Sequence, residues 1–150
     1  MPENNKLSYY NLGKLAVKFC QSWNAMAASA KNPADVGSID VKLIEKTTKI
    51  GQELEGYLIE YFFSLTDVDF ESLDAEKKMK IELAANAATH SASYTEPDIN
   101  HMMNAVGFTR EVSTNFSYGH MVFQMFMENF PFEIEIDDTE MAKELNSYIG

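Results

Sequence analysis

Apolar positions recur at helical spacing along most of this chain. Leu12, Leu15, Phe19, Trp23, Met26 and Ala30 follow one another at intervals of three and four, which predicts an amphipathic helix ending near Lys31-Asn32-Pro33. Asn32 to Gly37 is turn chemistry, with Pro33 and Gly37 as breakers, and Ser38 is placed to cap a second helix. That helix carries Leu43, Thr47, Ile50, Leu54, Tyr57, Tyr61 and Leu65 as a near-heptad stripe. Gly51 and Gly56 interrupt it at a cost in helix propensity, so close helix–helix approach is expected at both.

Thr66 to Phe70 reads as a short acidic connection, after which Ser72 or Asp74 caps a third helix with Met79, Leu83, Ala87, His90 and Tyr94 on one face. Thr95-Glu96-Pro97-Asp98 has the form of a cap with proline in the first turn. A short helix through Ile99, Met102, Met103 and Val106 follows, with Gly107 at its C′ position. The next helix runs from about Thr109 through Val112, Phe116, Phe123, Phe126 and Met127 to Phe130, and Pro131 ends it. Then the period drops to two. Phe132-Glu133-Ile134-Glu135-Ile136-Asp137 alternates apolar and acidic residues strictly, the pattern of an extended segment. Asp138 or Thr139 caps a last short helix containing Met141, Ala142, Leu145 and Ile149. With no internal repeat, low-complexity tract or interdomain linker, the expectation is one all-α domain over residues 1–150. It is a bundle of five or six helices with one short extended segment near residues 132–137.

Composition agrees with a single packed domain: 45% hydrophobic and 23% charged residues are ordinary globular values. No apolar run approaches the ~20 residues of a membrane span, and the opening residues lack the apolar stretch of a signal peptide. The lone Cys20 excludes an internal disulfide and fits a reducing compartment. A cytoplasmic protein with no membrane partner is therefore expected.

Charge changes the picture more. Residues 1–50 carry seven lysines against four carboxylates, a net of +3, whereas residues 51–150 carry five cations against nineteen carboxylates, a net of −14. A field of that sign repels nucleic acid and favours basic partners. Arg110 is the only guanidinium among twelve basic residues, and Arg is the group that reads phosphates and base edges in bidentate fashion. No direct nucleic-acid binding is expected on both counts.

Catalytic and metal chemistry each require a spacing that this chain does not supply. Asp98 and His101 have the i,i+3 carboxylate–imidazole spacing, but neither Ala87 before His90 nor Ser117 before His120 repeats it, as a di-iron bundle would need. Asp67-x-Asp69-x-Glu71 opens like a calcium loop but has Ser72 where the sharp turn needs glycine, and Lys78 where a bidentate carboxylate belongs. There is no G-x-S-x-G elbow and no glycine-rich phosphate loop. Cys20, inside an amphipathic helix, reads as a buried inert thiol. No metal, cofactor or catalytic residue is expected. A third class, a metal- or small-ligand-binding bundle using His90, His101 and His120, is kept as an alternative.

Two features remain. Residues 121–132 hold seven Met or Phe, more than one face of a surface helix can hide. They read as the central helix of the bundle or as a deformable apolar surface, with Met121, Met125, Met127 and Phe130 as the interface for a client or for a homodimer. Glu133, Glu135 and Asp137, continued by Asp138 and Glu140, form an acidic ladder whose alternate carboxylates stand about 6.7 Å apart along an extended chain. Phe132, Ile134 and Ile136 would pin the opposite face to the core. The reading that follows is a small, acidic, non-enzymatic binding protein of inhibitor or immunity type. It would dock that ladder on a basic, nucleic-acid-handling protein in place of phosphates. The runner-up is an assembly or secretion chaperone that holds a client on the Met/Phe surface.

Overall fold

Four long helices and one short one make up the α-helical structure of the residues that the computed structural model describes, 7–29, 40–93, 97 and 108–147. Each long helix starts on a side chain that satisfies a free N–H of its first turn. Ser8 Oγ accepts from Asn11 N at the head of α1 (Tyr9–Ala28), and Asp40 accepts from Lys42 N for α2 (Val41–Ser64). Asp74 accepts from Lys77 N for α3 (Ala75–Ala92), and Thr109 from Val112 N for α4 (Arg110–Glu128). A 3-10 turn at Phe70–Ser72 lies between α2 and α3, and α5 (Thr139–Ser147) closes the described chain. Asp40 caps α2 in place of the expected Ser38. Ser38, Ala30, Tyr94, the helix expected over Ile99–Val106 and Ile149 lie outside the described residues.

Pairwise contacts set the topology. Ser8 N donates to Tyr57 Oη at 2.9 Å while Ser22 Oγ pairs with Thr47 Oγ1 at 2.7 Å, so α1 and α2 run antiparallel. Asn86 of α3 donates to Glu55 of α2. Cys20 of α1 donates its thiol hydrogen to the Ala92 carbonyl, and Trp23 meets His90, which places the C-terminal halves of α1 and α3 together. Gly13 meets Asn115 while Tyr9 meets His120, so α4 runs back along α1. The four helices thus form an up-down-up-down bundle in which α1 packs on α2 and α4, and α3 closes the other side.

The α1–α4 seam is the tightest in the molecule. A Cβ on Gly13 would stand 1.7 Å from the Asn115 carbonyl oxygen, and one on Gly119 would stand 3.0 Å from Tyr9 O and 3.2 Å from Gly13 N. Those neighbours are backbone and cannot swing aside. Gly51 also serves close packing, against the Phe19 ring at 3.0 Å, but Gly56 is exposed with nothing within 4 Å, so only one of the two glycines expected at an approach makes one.

The α3 stripe corrects the sequence reading. Met79, Leu83, Ala87 and His90 face solvent, Met79 at 55% and Leu83 at 61% exposure, while Ile81, Ala84, Ala85, Ala88, Thr89 and Ala92 are buried. Small residues win the inward face because α2 and α4 already fill the interior with Leu54, Leu58, Phe62, Phe116 and Phe126, all at most 1% exposed. The Met/Phe segment divides: Val122, Phe123 and Phe126 are core, Met121 and Met125 pack on it half-buried, and Met127 is 44% exposed.

Beyond α4 the chain crosses the lower end of the bundle, where α2 and α4 finish. Residues 131–137 alternate outward and inward: Pro131, Glu133, Glu135 and Asp137 are exposed, while Phe132, Ile134 and Ile136 pack against the core. The period-two pattern holds, with no strand among the described residues. Asp137 N then donates to Leu65 O at 2.7 Å. Finally Glu144 of α5 accepts from Tyr9 N and Tyr10 N, one carboxylate oxygen each at 2.8 Å, at the positive end of the α1 dipole.

These glycines make opposite predictions. Gly13→Ala is expected to destabilise the fold by about 1–3 kcal/mol or more through overpacking against backbone. Gly56→Ala should stabilise it by up to about 1 kcal/mol, the propensity difference in a helix. Denaturant unfolding of the two variants checks both signs; a neutral Gly13→Ala would contradict the seam.

Candidate functional site

The end of α4 and the segment after it build a groove of about 450 Å³. Phe62 comes from the last turn of α2 and Met127 from the last turn of α4, while Phe130, Phe132, Ile134 and Ile136 complete an apolar lining. Glu133 and Glu135 stand at its rim. The end of the Met/Phe segment and the first two carboxylates of the acidic ladder therefore meet in one place.

Edge-to-face and tilted ring contacts fix the floor. Phe130 lies 4.8 Å from Phe62, 5.7 Å from Phe126 and 4.7 Å from Phe132, ring centre to ring centre, and Phe62 meets Phe126 at 5.0 Å. Pairs at such spacing are worth about 0.5–1.5 kcal/mol beyond their buried area. They hold the chain after Pro131 against the bundle rather than free in water. Lys77 places its ammonium over the Phe132 ring at 5.5 Å.

The predicted acidic ladder does not act as one row. Glu133 and Glu135 belong to the groove. Asp137 turns to the start of α5, where its carboxylate accepts from Thr139 Oγ1 at 2.5 Å and Thr139 N at 3.0 Å. Those bonds, the hydroxyl's first, lower its pKa. Asp138 is exposed, and its carbonyl accepts from Ala142 N in the first turn of α5. Glu140 pairs with Lys143 at 3.4 Å and lines a separate cleft with Ser8, Tyr10 and Glu144. Among the predicted apolar interface residues, Met127 and Phe130 line the groove, whereas Met121 and Met125 pack against the core on α4.

Electrostatics favour a cation in the groove. The C-termini of α2 and α4 end beside it, and the partial negative charge of a helix C-terminus attracts cations by about 0.3–1 kcal/mol. A second groove, lined by Lys14, Lys18, Arg110 and Glu111, sits at the other end of α4, where Arg110 is seventeen residues, about 25 Å of helical rise, from Met127.

The histidines are not brought together. His90 abuts Trp23 and His120 bonds Tyr9, and those two α1 residues lie fourteen positions, about 21 Å, apart. Asp98 and His101 lie outside the described residues, among which no three His, Cys, Asp or Glu side chains converge as an ion would require. Cys20 is buried, and desolvation pushes its thiol up to about 11, which leaves little thiolate at neutral pH. Among the described residues no helix is long and apolar enough to cross a membrane. Comparison with family models, curated proteins and solved structures finds no match to this chain.

Sequence reasoning missed Phe62 and Glu144. Phe62 sits inside Tyr61-Phe62-Phe63, and three consecutive aromatics at a helix end are a cue that more than one face is covered there. Glu144 binds α1 across 135 positions, and no local pattern marks such a partner.

Asp137 supplies a pH test. Its folded-state pKa is lowered from 3.8, so its bonds to Thr139 stabilise the start of α5 above that value and are lost as pH falls through the folded pKa. Carboxylate titration by NMR should give Asp137 a midpoint below 3.8, and Thr139→Ala should raise it. An unchanged midpoint in that variant would refute the contact.

Proposed function

We propose that this protein is a non-enzymatic binding protein that docks its acid-rimmed apolar groove on a basic segment of a protein partner. The observation that carries the reading is the groove itself, where Glu133 and Glu135 stand over a floor of Phe130, Phe132 and Ile134, with Phe62 buried beneath. An apolar floor supplies affinity by excluding water, and the carboxylates select sign and speed encounter. Neither feature alone favours a defined partner. Together they match a segment that alternates cationic and apolar side chains.

The inhibitor or immunity role rests on this groove and on the −11 net charge, which opposes anionic partners. Of the Met/Phe surface expected for a chaperone, Met127 is the exposed part, which supports a short anchoring pocket rather than a broad client cradle.

A labelled synthetic peptide alternating lysine and valine serves as a probe. Glu133→Lys with Glu135→Lys is expected to weaken its binding tenfold or more without unfolding the protein, because exposed substitutions usually shift stability by no more than about 0.5 kcal/mol. The control pair Glu53→Lys with Glu82→Lys alters net charge equally on exposed helix surface, and should weaken binding far less. Equal losses in the two double variants would mean that general charge, and not the groove, attracts the peptide.

A further inference from the structure

The segment that borders the groove pairs its backbone with no other segment among the described residues. Among the described residues, no hydrogen bond reaches an amide or carbonyl of residues 131–136; the flanking bonds are Phe130 N to Met127 O and Asp137 N to Leu65 O. The segment is pinned at both ends and by Phe132, Ile134 and Ile136 below, while its peptide groups between are free to pair. Its side chains already alternate as in a strand, and the groove runs beside it. A fixed, unpaired, alternating segment is a template for strand addition.

We infer that residues 132–136 recruit an extended cationic segment of a partner protein as an added β-strand lying in the groove, an inference that rests on the docking function proposed above. Backbone pairing supplies the register. Lysines or arginines of the added strand fall opposite Glu133 and Glu135, the cross-strand arrangement of opposite charges that stabilises a sheet. Its alternate apolar side chains point down onto Phe130 and Met127. The same geometry works against a second copy of this chain: an antiparallel self-pair would set carboxylates against carboxylates, and like charges directly opposite are destabilising. The carboxylates thus keep the free edge from self-association and reserve it for a basic strand. Five residues at about 3.3 Å each give the edge a length near 16 Å, which accommodates a short peptide.

Backbone methylation of the probe separates strand pairing from charge attraction. Two versions of the lysine–valine peptide are made, each N-methylated on one alternate set of amides, so charge and side chains are unchanged. Pairing predicts that one version loses at least tenfold in affinity while the other, whose methyl groups point away from the edge, binds like the parent. It also predicts that one alternate set of amides within residues 132–136 gains protection from hydrogen exchange in the complex. If both methylated peptides bind like the parent while Glu133→Lys with Glu135→Lys still abolishes binding, strand addition is wrong and the docking function stands. If the wild-type protein binds none of the peptides at low salt, both are wrong.

Discussion

The contact of Gly13 with Gly119 governs the rest of the molecule. With no Cβ on either helix, the backbones of α1 and α4 meet directly, and a methyl group at Gly13 would overlap the Asn115 carbonyl. That closeness carries Tyr9 into a nest of Phe116, Phe123 and Tyr61, each about 6 Å away ring to ring. Burial, and then the nearby Tyr61 and Glu144, hold the Tyr9 phenol protonated well above its ordinary range. The head of α1 is thereby fixed beside the end of α4, and its free amides become the seat for Glu144.

From that seat the geometry of the groove follows. Glu144 ties α5 to α1, Asp137 N ties the crossing segment to Leu65, and Phe130 ties its beginning to Phe62. Three anchors, one on α1 and two at the end of α2, hold residues 130–138 across the lower end of the bundle. The apolar side chains of the segment have nowhere to turn but inward, so the alternating carboxylates are forced outward beside two helix C-termini. Charge attraction at such an exposed rim is screened over a Debye length of about 8–10 Å at physiological salt. Encounter with a basic partner should therefore weaken as salt rises, while the apolar floor retains its hold.

The helical architecture was readable because caps and periodicity agree. Asp74, Thr109 and the Asp138 region each begin a helix where turn chemistry precedes an apolar repeat, and Pro131 follows the end of α4. The in-out order of residues 132–137 was also readable, because strict alternation admits only one buried face. The inward face of α3 was not. Met79 and Leu83 are large apolar residues and draw the eye, yet the inward face of α3 is built from Ile81, Thr89 and four alanines. Which carboxylates share a groove was equally hidden. Asp137 is taken by Thr139 and Glu140 by Lys143, contacts that depend on where α5 begins rather than on the alternating pattern. The groove exists only once Phe62, seventy residues upstream, meets Phe132 and its neighbours.

Zero-length cross-linking of carboxylates to lysines, applied in cells that express this protein and read by mass spectrometry, tests the proposed docking most directly. The groove predicts that Glu133 and Glu135 are the principal carboxylates joined to partner lysines, with the partner residues on one short basic segment. Cross-links concentrated on the carboxylates of α2 and α3, with Glu133 and Glu135 unreacted, would contradict it.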